Sequence, residues 1–329
     1  LPGKRVRYIS IRNLTFLIRP AKSACSTEEF ATMGGIVWLA SYPKSGNTWT
    51  RAFLHNFIAQ EEVPKDGAYD INKMNVLSSS DNGPQWYTEV LGKPAKEATH
   101  EEIAHARPLV HKYIHDHSSG FIFLKTHNAM VVHDGIPLHT PKYTAGGVYI
   151  VRNPLDVVIS YSFHLDRTLD ETMEMMETTG FTSGTSEKAV FQIQGSWSEH
   201  VYSWTKRPNQ ALHVMRYEDM LENPTEIFTE LAYFLQLPVE DERLQKAIAK
   251  ASFKNLQEME KEQGFRERPE HAEKFFRQGK AGQWKHELTL NQVKRIVRAH
   301  GEQMDRFGYL KEAERFLRNP NVERRAYAG

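Results

Sequence analysis

The sequence predicts an α/β fold: a doubly wound parallel sheet flanked by helices, in a single domain. Three observations predict it. Short, continuous apolar runs recur along the chain. The stretches between them carry helical periodicity. The composition, 40 % hydrophobic and 25 % charged over 329 residues, is that of a globular chain long enough to bury a large core.

The elements follow in order. Ile36-Val37-Trp38-Leu39-Ala40 is an apolar run with a β-branched start and reads as a buried strand. Over residues 46–60, Trp49, Ala52, Phe53 and Phe57 share one helical face. Phe121-Ile122-Phe123-Leu124, Val148-Tyr149-Ile150-Val151 and Leu212-His213-Val214-Met215 supply three further buried strands. Asn153 is a good N-cap and Pro154 suits the first helical position, so a helix runs from there to about Arg167. Val293, Ile296, Val297, His300 and Met304 mark a late amphipathic helix. Residues 61–85 and 169–187 read as irregular insertions, the usual place for substrate lids. The domain is expected over residues 33–312, with residues 313–329 as a frayed C-terminal tail. Residues 1–32 read as a weakly structured N-terminal extension; an Arg-rich targeting segment and an arm packed on the domain stay open as alternatives.

Charge and cysteine content exclude several classes. Lys and Arg number 42 against 41 Asp and Glu, a net charge of +1, which argues against a dedicated nucleic-acid binder. The extension carries +4 of this, leaving residues 33–329 at −3. The single cysteine, Cys25, permits neither an internal disulfide nor a Cys-rich zinc site. No apolar run approaches the ~20 residues of a membrane span. His111, His115 and His117 have a spacing that mimics a metal site, but a solvated helix face is the expectation. Met173, Met175 and Met176 among Glu174 and Glu177 raise the prospect of a pocket mouth for a cationic acceptor, against the plainer reading of a solvated acidic helix.

Chemistry enters at Ser41-Tyr42-Pro43-Lys44-Ser45-Gly46-Asn47-Thr48-Trp49, between the first strand and the first helix. A strand–loop–helix junction with a glycine, a lysine and hydroxyls cradles phosphate: free N–H groups and the positive helix end face the anion, and lysine adds a point charge. The sheet is in that sense P-loop-like. It is not a Walker A sequence, because Lys44 precedes Gly46.

This string resembles the 5′-phosphosulfate loop of sulfotransferases that use 3′-phosphoadenosine 5′-phosphosulfate (PAPS). Three further elements carry the resemblance in family order: Lys125-Thr126-His127 at a strand end, Arg152-Asn153-Pro154 through Ser160, and Arg277-Gln278-Gly279 through Trp284-Lys285. The pattern looks like the cytosolic, small-molecule branch of that family, which implies a cytoplasmic enzyme with no nucleic-acid or membrane partner.

The resemblance also implies roles. Lys44, Ser45, Gly46, Asn47 and Thr48 hold the 5′-phosphosulfate. Arg152, Ser160, Arg277 and the backbone of Gln278 and Gly279 hold the 3′-phosphate. Trp49, Tyr217 and Phe253 contact the adenosine. His127 is the general base for a small-molecule hydroxyl, less favourably an amine. Lys44 neutralises the leaving phosphate, Lys125 stabilises the sulfuryl oxygens, and Ser160 holds Lys44 aside until acceptor binds. The product is 3′-phosphoadenosine 5′-phosphate (PAP), and no metal is required. The alternative is a P-loop-type kinase using ATP, which needs a Walker A lysine and Mg²⁺ ligands.

Some positions depart from the family pattern. Gln278 stands where Lys is usual, Asn47 where Thr is common, and Gln283 where Asp is usual. The family's dimer motif is degraded at Lys285, Thr289, Leu290 and Lys294, the last a charge reversal, which leaves the oligomeric state open.

Overall fold

The computed structural model describes residues 34–59, 70–118 and 120–328. The extension at 1–32, with Cys25, lies outside the described residues, as do residues 60–69 of the first expected insertion.

Five parallel strands form the central sheet. Strand β1 (Gly35–Ser41) sits in the middle. On one side come β3 (Phe121–Thr126) and the edge strand β2 (Ser78–Ser80). On the other come β4 (Thr144–Val151) and the edge strand β5 (Leu212–Arg216), for an order of 2-3-1-4-5. Every residue of β1 is buried. Ile36, Trp38 and Ala40 belong to one core cluster, while Val37 and Leu39 belong to another. Successive side chains point to opposite faces, so two cores mean a sheet covered on both sides. That is why β1 reads as an unbroken apolar run, and it is the doubly wound arrangement the sequence predicts.

The expected helices form. In α1 (Asn47–Ile58), Phe53 stacks on Phe57 and Phe228 with ring centroids 5.4 and 4.0 Å apart. Helix α2 (His100–Asp116) opens on a reciprocal cap between Thr99 and Glu102. In α3 (Pro154–Leu165), the Asn153 side chain accepts from the Leu155 N–H at 3.1 Å, and the helix ends at Asp166 in a left-handed conformation.

Four expectations change. The serine run is not irregular: Ser78–Ser80 pairs in parallel with Phe123–Lys125. Ladder hydrogen bonds form an edge strand there without any apolar alternation. Residues 169–187 are not wholly irregular either. Thr168 and Glu171 cap α4 (Leu169–Glu177), which buries Met173, Met175 and Met176 in the core. Glu177 binds Arg295 through three contacts of 2.8–3.0 Å, so methionines and carboxylates do not combine into a cationic pocket mouth.

The three histidines do not share a solvated face. His111 is fully buried and bonded to the Thr140 hydroxyl at 2.8 Å, while His115 meets Asp116 and His117 meets the Tyr113 carbonyl. The C-terminal segment is helical rather than frayed. After α5 (Phe253–Gln263) and α6 (Leu290–Arg306), helix α7 (Leu310–Arg318) buries Ala313 and Phe316 beyond the expected boundary at 312. From α8 (Pro320–Ala328), Arg324 donates to the Lys285 and Leu288 carbonyls at 2.8 and 3.3 Å. In the degraded dimer motif, Thr289 caps α6 and Lys285 pairs with Glu312 at 2.7 Å. Among the described residues no helix is long and apolar enough to cross a membrane.

Candidate active site

Ligands of open parallel sheets bind beyond the carboxyl ends of the strands, where the strand order reverses. Here that point lies between β1 and β4. A cavity of about 740 Å³ opens there. The segments that leave these strand ends line it: Pro43–Trp49 after β1, His127 after β3, Arg152 after β4 and Tyr217 after β5.

The loop after β1 is shaped for an anion. Lys44 has φ +66° and Gly46 φ +107°, and no side chain caps the start of α1, so first-turn N–H groups are not covered from within the chain. A Cβ on Gly46 would lie 2.8 Å from the Tyr217 ring, so only glycine fits. Arg152 braces the loop, donating through Nη1 to the Lys44 carbonyl at 3.0 Å and through Nη2 to the Lys280 carbonyl at 3.1 Å. Its guanidinium lies 4.2 Å from the Tyr217 ring centroid. Burial, with Lys125 and Arg152 nearby, lowers the Lys44 ammonium to about 7, opposed by Glu267.

Two loop residues differ from expectation. The Asn47 side chain points back into the structure, donating to the Leu39 carbonyl at 2.8 Å and to Ser41 Oγ at 3.4 Å. It holds the loop rather than offering an amide to a ligand. Ser45 is 1 % exposed and is not part of the cavity lining, whereas Lys44, Gly46, Asn47, Thr48 and Trp49 are.

One end of the cavity is aromatic. Trp49 meets Tyr217 and Phe228 edge-on at 5.9 and 5.6 Å. Phe253 packs so tightly over Gly279 that a Cβ there would lie 2.3 Å from its ring, and Gly279 also has φ +61°. Trp49, Tyr217, Phe253, Arg277, Gln278 and Gly279 all line the cavity. The Arg277 guanidinium sits 3.6 Å from the Phe163 ring centroid.

His127 Nδ1 lies 2.7 Å from the Ser41 carbonyl oxygen. A carbonyl only accepts, so Nδ1 carries the proton and Nε2 keeps its lone pair. Burial and the Lys125 charge hold the imidazole well below its ordinary pKa, so it stays neutral. Lys125 is 3.2 Å from Glu267, whose other oxygen takes Arg51 at 2.7 Å. Burial alone would raise the Glu267 carboxyl, but Arg51 and Lys125 together hold it well below the usual range. Ser160 lines the cavity but does not hold Lys44, whose Nζ lies 4.0 Å from the Phe275 ring centroid and makes no hydrogen bond among the described residues.

Sequence reasoning missed three carboxylates. Asp156, with its carboxyl raised to about 6 by burial, accepts from Gly282 N–H at 2.7 Å and Trp284 N–H at 3.2 Å, fixing the glycine-rich loop. Glu218 accepts from Asn153 N–H at 3.0 Å and Tyr309 OH at 2.7 Å. Glu267 enters the cavity from a run, Arg266-Glu267-Arg268, that looks like solvated charge in sequence.

The chain is similar to known proteins over most of its length. A family model described as the sulfotransferase domain matches residues 36–308. The chain is 26 % identical to sulfotransferase 1B1 of Mus musculus over 292 residues, covering 84 % of this chain and 85 % of that one. It is 25 % identical to flavonol 3-sulfotransferase of Flaveria bidentis, covering 86 % of each. Among solved structures, it is similar in fold to mouse sulfotransferase SULT7A1 complexed with PAP, with a TM-score of 0.56, 20 % identity, and coverage of 85 % of this chain and 89 % of that one. It is also similar to retinol dehydratase in complex with androsterone and PAP, with a TM-score of 0.55, 19 % identity, and coverage of 82 % and 80 %.

Proposed function

The chain belongs to the sulfotransferase domain family and is an enzyme of that class, and from this premise we propose that it moves the sulfuryl group of PAPS to a hydroxyl of a small molecule, with His127 as general base. One observation carries the reading. The anion loop, the aromatic slot, and the Lys44, Lys125 and His127 side chains border a single cavity.

The residues fit the donor. PAPS presents two separated anionic groups and a base, and the cavity presents cations, an uncapped helix start and aromatic faces. Gly46 and Gly279 let the Tyr217 and Phe253 rings close against the backbone of the two loops, where any Cβ would clash. The buried Nε1 of Trp49 and Nε of Arg152 have no partner within the described residues and are available to a ligand. Lys44, Thr48 and the start of α1 hold the 5′ end. Arg152, Ser160, Arg277 and Gly279 hold the 3′-phosphate, and Trp49, Tyr217 and Phe253 flank the adenine. Solved structures of this fold hold PAP, which supports the assignment.

The donor supplies an electrophilic sulfur with a good leaving group. His127 Nε2 takes the proton of the acceptor hydroxyl as its oxygen bonds to sulfur. The S–O bond to the donor phosphate breaks, and PAP leaves with that electron pair. Lys44 neutralises charge developing on the leaving oxygen, and Lys125 offsets charge on the sulfuryl oxygens. Membership of the sulfotransferase family sets the kinase alternative aside.

The test is incubation of the full chain with PAPS or with ATP and a mixed set of hydroxyl acceptors, followed by mass detection. The expected result is a sulfuryl mass gain that needs PAPS. Phosphoryl gain from ATP with none from PAPS overturns the reading.

A further inference from the structure

Asn82, Tyr161, His164, Gln192, Gln194 and Glu267 bring polar side chains to the lining of the cavity, beside the apolar Leu165, Ala189 and Phe275. These residues come from four separate stretches of chain, so the polarity is not the incidental face of one helix.

The polar groups are held in place from behind. Asn82 Nδ2 donates to Gln192 Oε1 at 3.0 Å, and Gln192 Nε2 donates to Asp81 Oδ1 at 3.4 Å. Asp81 is fully buried. It lies 3.7 Å from Arg107 and takes bonds from Thr126 Oγ1 at 2.9 Å and Asn128 Nδ2 at 3.0 Å. Tyr161 OH donates to Gln194 Oε1 at 3.3 Å.

Donors and acceptors are left over for a ligand. Among the described residues, Gln194 Nε2 and both ring nitrogens of His164 have no hydrogen-bond partner. Gln194 is 4 % exposed. Burial, followed by the charges of Lys44 and Lys125, lowers the His164 imidazole to about 3, so it is neutral and offers one donor and one acceptor.

A hydroxyl both donates and accepts, as do a primary amide and a neutral imidazole. A steroid skeleton would strip water from these groups and replace little of what it removed. From this geometry we infer that the acceptor is a polyhydroxylated small molecule, a carbohydrate or cyclic polyol, read by Asn82, His164, Gln192 and Gln194. One hydroxyl faces His127 and becomes the sulfate ester, with bond changes as given above. The others are held by the amide wall. This inference rests on the PAPS reading of the site.

The test separates the two. PAP affinity of the full chain is measured by titration, and PAPS-dependent sulfation is then measured by mass on a panel of hexoses, disaccharides, inositols, simple phenols and steroid alcohols. The expected result is a kcat/KM for the best polyol at least roughly tenfold above any phenol or steroid. Gln194→Leu is expected to lower polyol kcat/KM roughly 10- to 100-fold while PAP affinity, which doubles as the folding control, stays unchanged. If Gln194→Leu loses PAP affinity through misfolding, Gln194→Glu serves in its place, with the same loss of polyol kcat/KM expected, since it keeps the size and the acceptor for Tyr161 OH and removes the free Nε2 donor. Intact PAP binding with phenols or steroids preferred, or with no polyol sulfated, overturns the acceptor assignment alone. Absence of PAP binding overturns the donor reading as well.

Discussion

The two halves of the cavity are built in different ways. The donor half is made of contiguous sequence at strand ends: one loop into α1, one turn into α3, one glycine-rich segment. Backbone conformation does much of its work, as at Lys44, Gly46 and Gly279, all with positive φ. The proposed acceptor half is made of single side chains from distant segments, of which Gln192 is tied to a buried Asp81–Arg107 pair and Gln194 to Tyr161. A backbone cradle suits a ligand whose phosphates never change. A wall of side chains suits a ligand whose identity differs from one relative to the next.

His127 stands at the seam, and its removal gives the largest effect. His127→Ala is expected to lower kcat by roughly 10²–10⁴, with PAP affinity unchanged in a direct titration. Equal losses in both would mean the seam is part of the donor cradle.

The next effect falls on the cradle alone. Gly279→Val places a Cβ where the Phe253 ring stands, at a φ that L side chains resist. Strain of about 1–3 kcal/mol corresponds to a roughly 10- to 100-fold loss of PAP affinity, read by titration.

A third prediction uses pH. Lys44 titrates at about 7 in the free enzyme, and binding an anion favours its charged form. The pKa in the complex is therefore higher. PAP affinity is full below about pH 7 and falls as pH rises through the window between the two values, by at most about tenfold per unit. Binding near neutral pH then takes up protons, which titration in buffers of different ionisation enthalpy detects. Glu267→Gln removes the one neighbouring group that raises Lys44 and moves the decline to lower pH.

The smallest effect lies outside both halves. Glu177→Gln breaks a partly exposed pair with Arg295, worth about 0.5 kcal/mol at most in thermal melts. KM for every acceptor is expected to stay unchanged, because Glu177 does not border the cavity.

This contrast also explains what could be read from sequence. Three of the strands and the helices after β1 and β4 were legible because burial leaves continuous apolar runs and because Asn153-Pro154 announces a helix start. The β5 run reads as a buried strand, but it lies at the sheet edge with Val214 exposed and only Met215 buried. The cavity-lining loop after β1 was legible because a turn suited to an anion carries its glycine, lysine and hydroxyls in consecutive order. Asn47 was legible as polar but not as a brace, since only the fold brings Leu39 within reach of its amide. Ser78–Ser80 carried no strand pattern, because an edge strand takes its stability from the ladder beside it. Glu267 looked like solvated charge until Arg51 and Lys125 closed around it. Gln192 and Gln194 lay in a segment with no periodicity, and their places depend on Asp81 and Tyr161, which only the fold brings to them. Leu310, Ala313, Phe316 and Leu317 do have helical spacing, so the α7 core contact is present in the sequence as a short amphipathic pattern, which the reading of a frayed tail passes over.

The central claim is that one cavity divides binding from transfer, and a paired measurement tests it most directly. Transfer of the sulfuryl group from PAPS and the affinity for PAP are measured side by side for His127→Ala and Gly279→Val. The account predicts that the first loses kcat and keeps PAP affinity, while the second loses PAP affinity and, at saturating PAPS, keeps most of its kcat. A His127→Ala enzyme that retains most of its kcat, or two variants that lose both quantities alike, would contradict it.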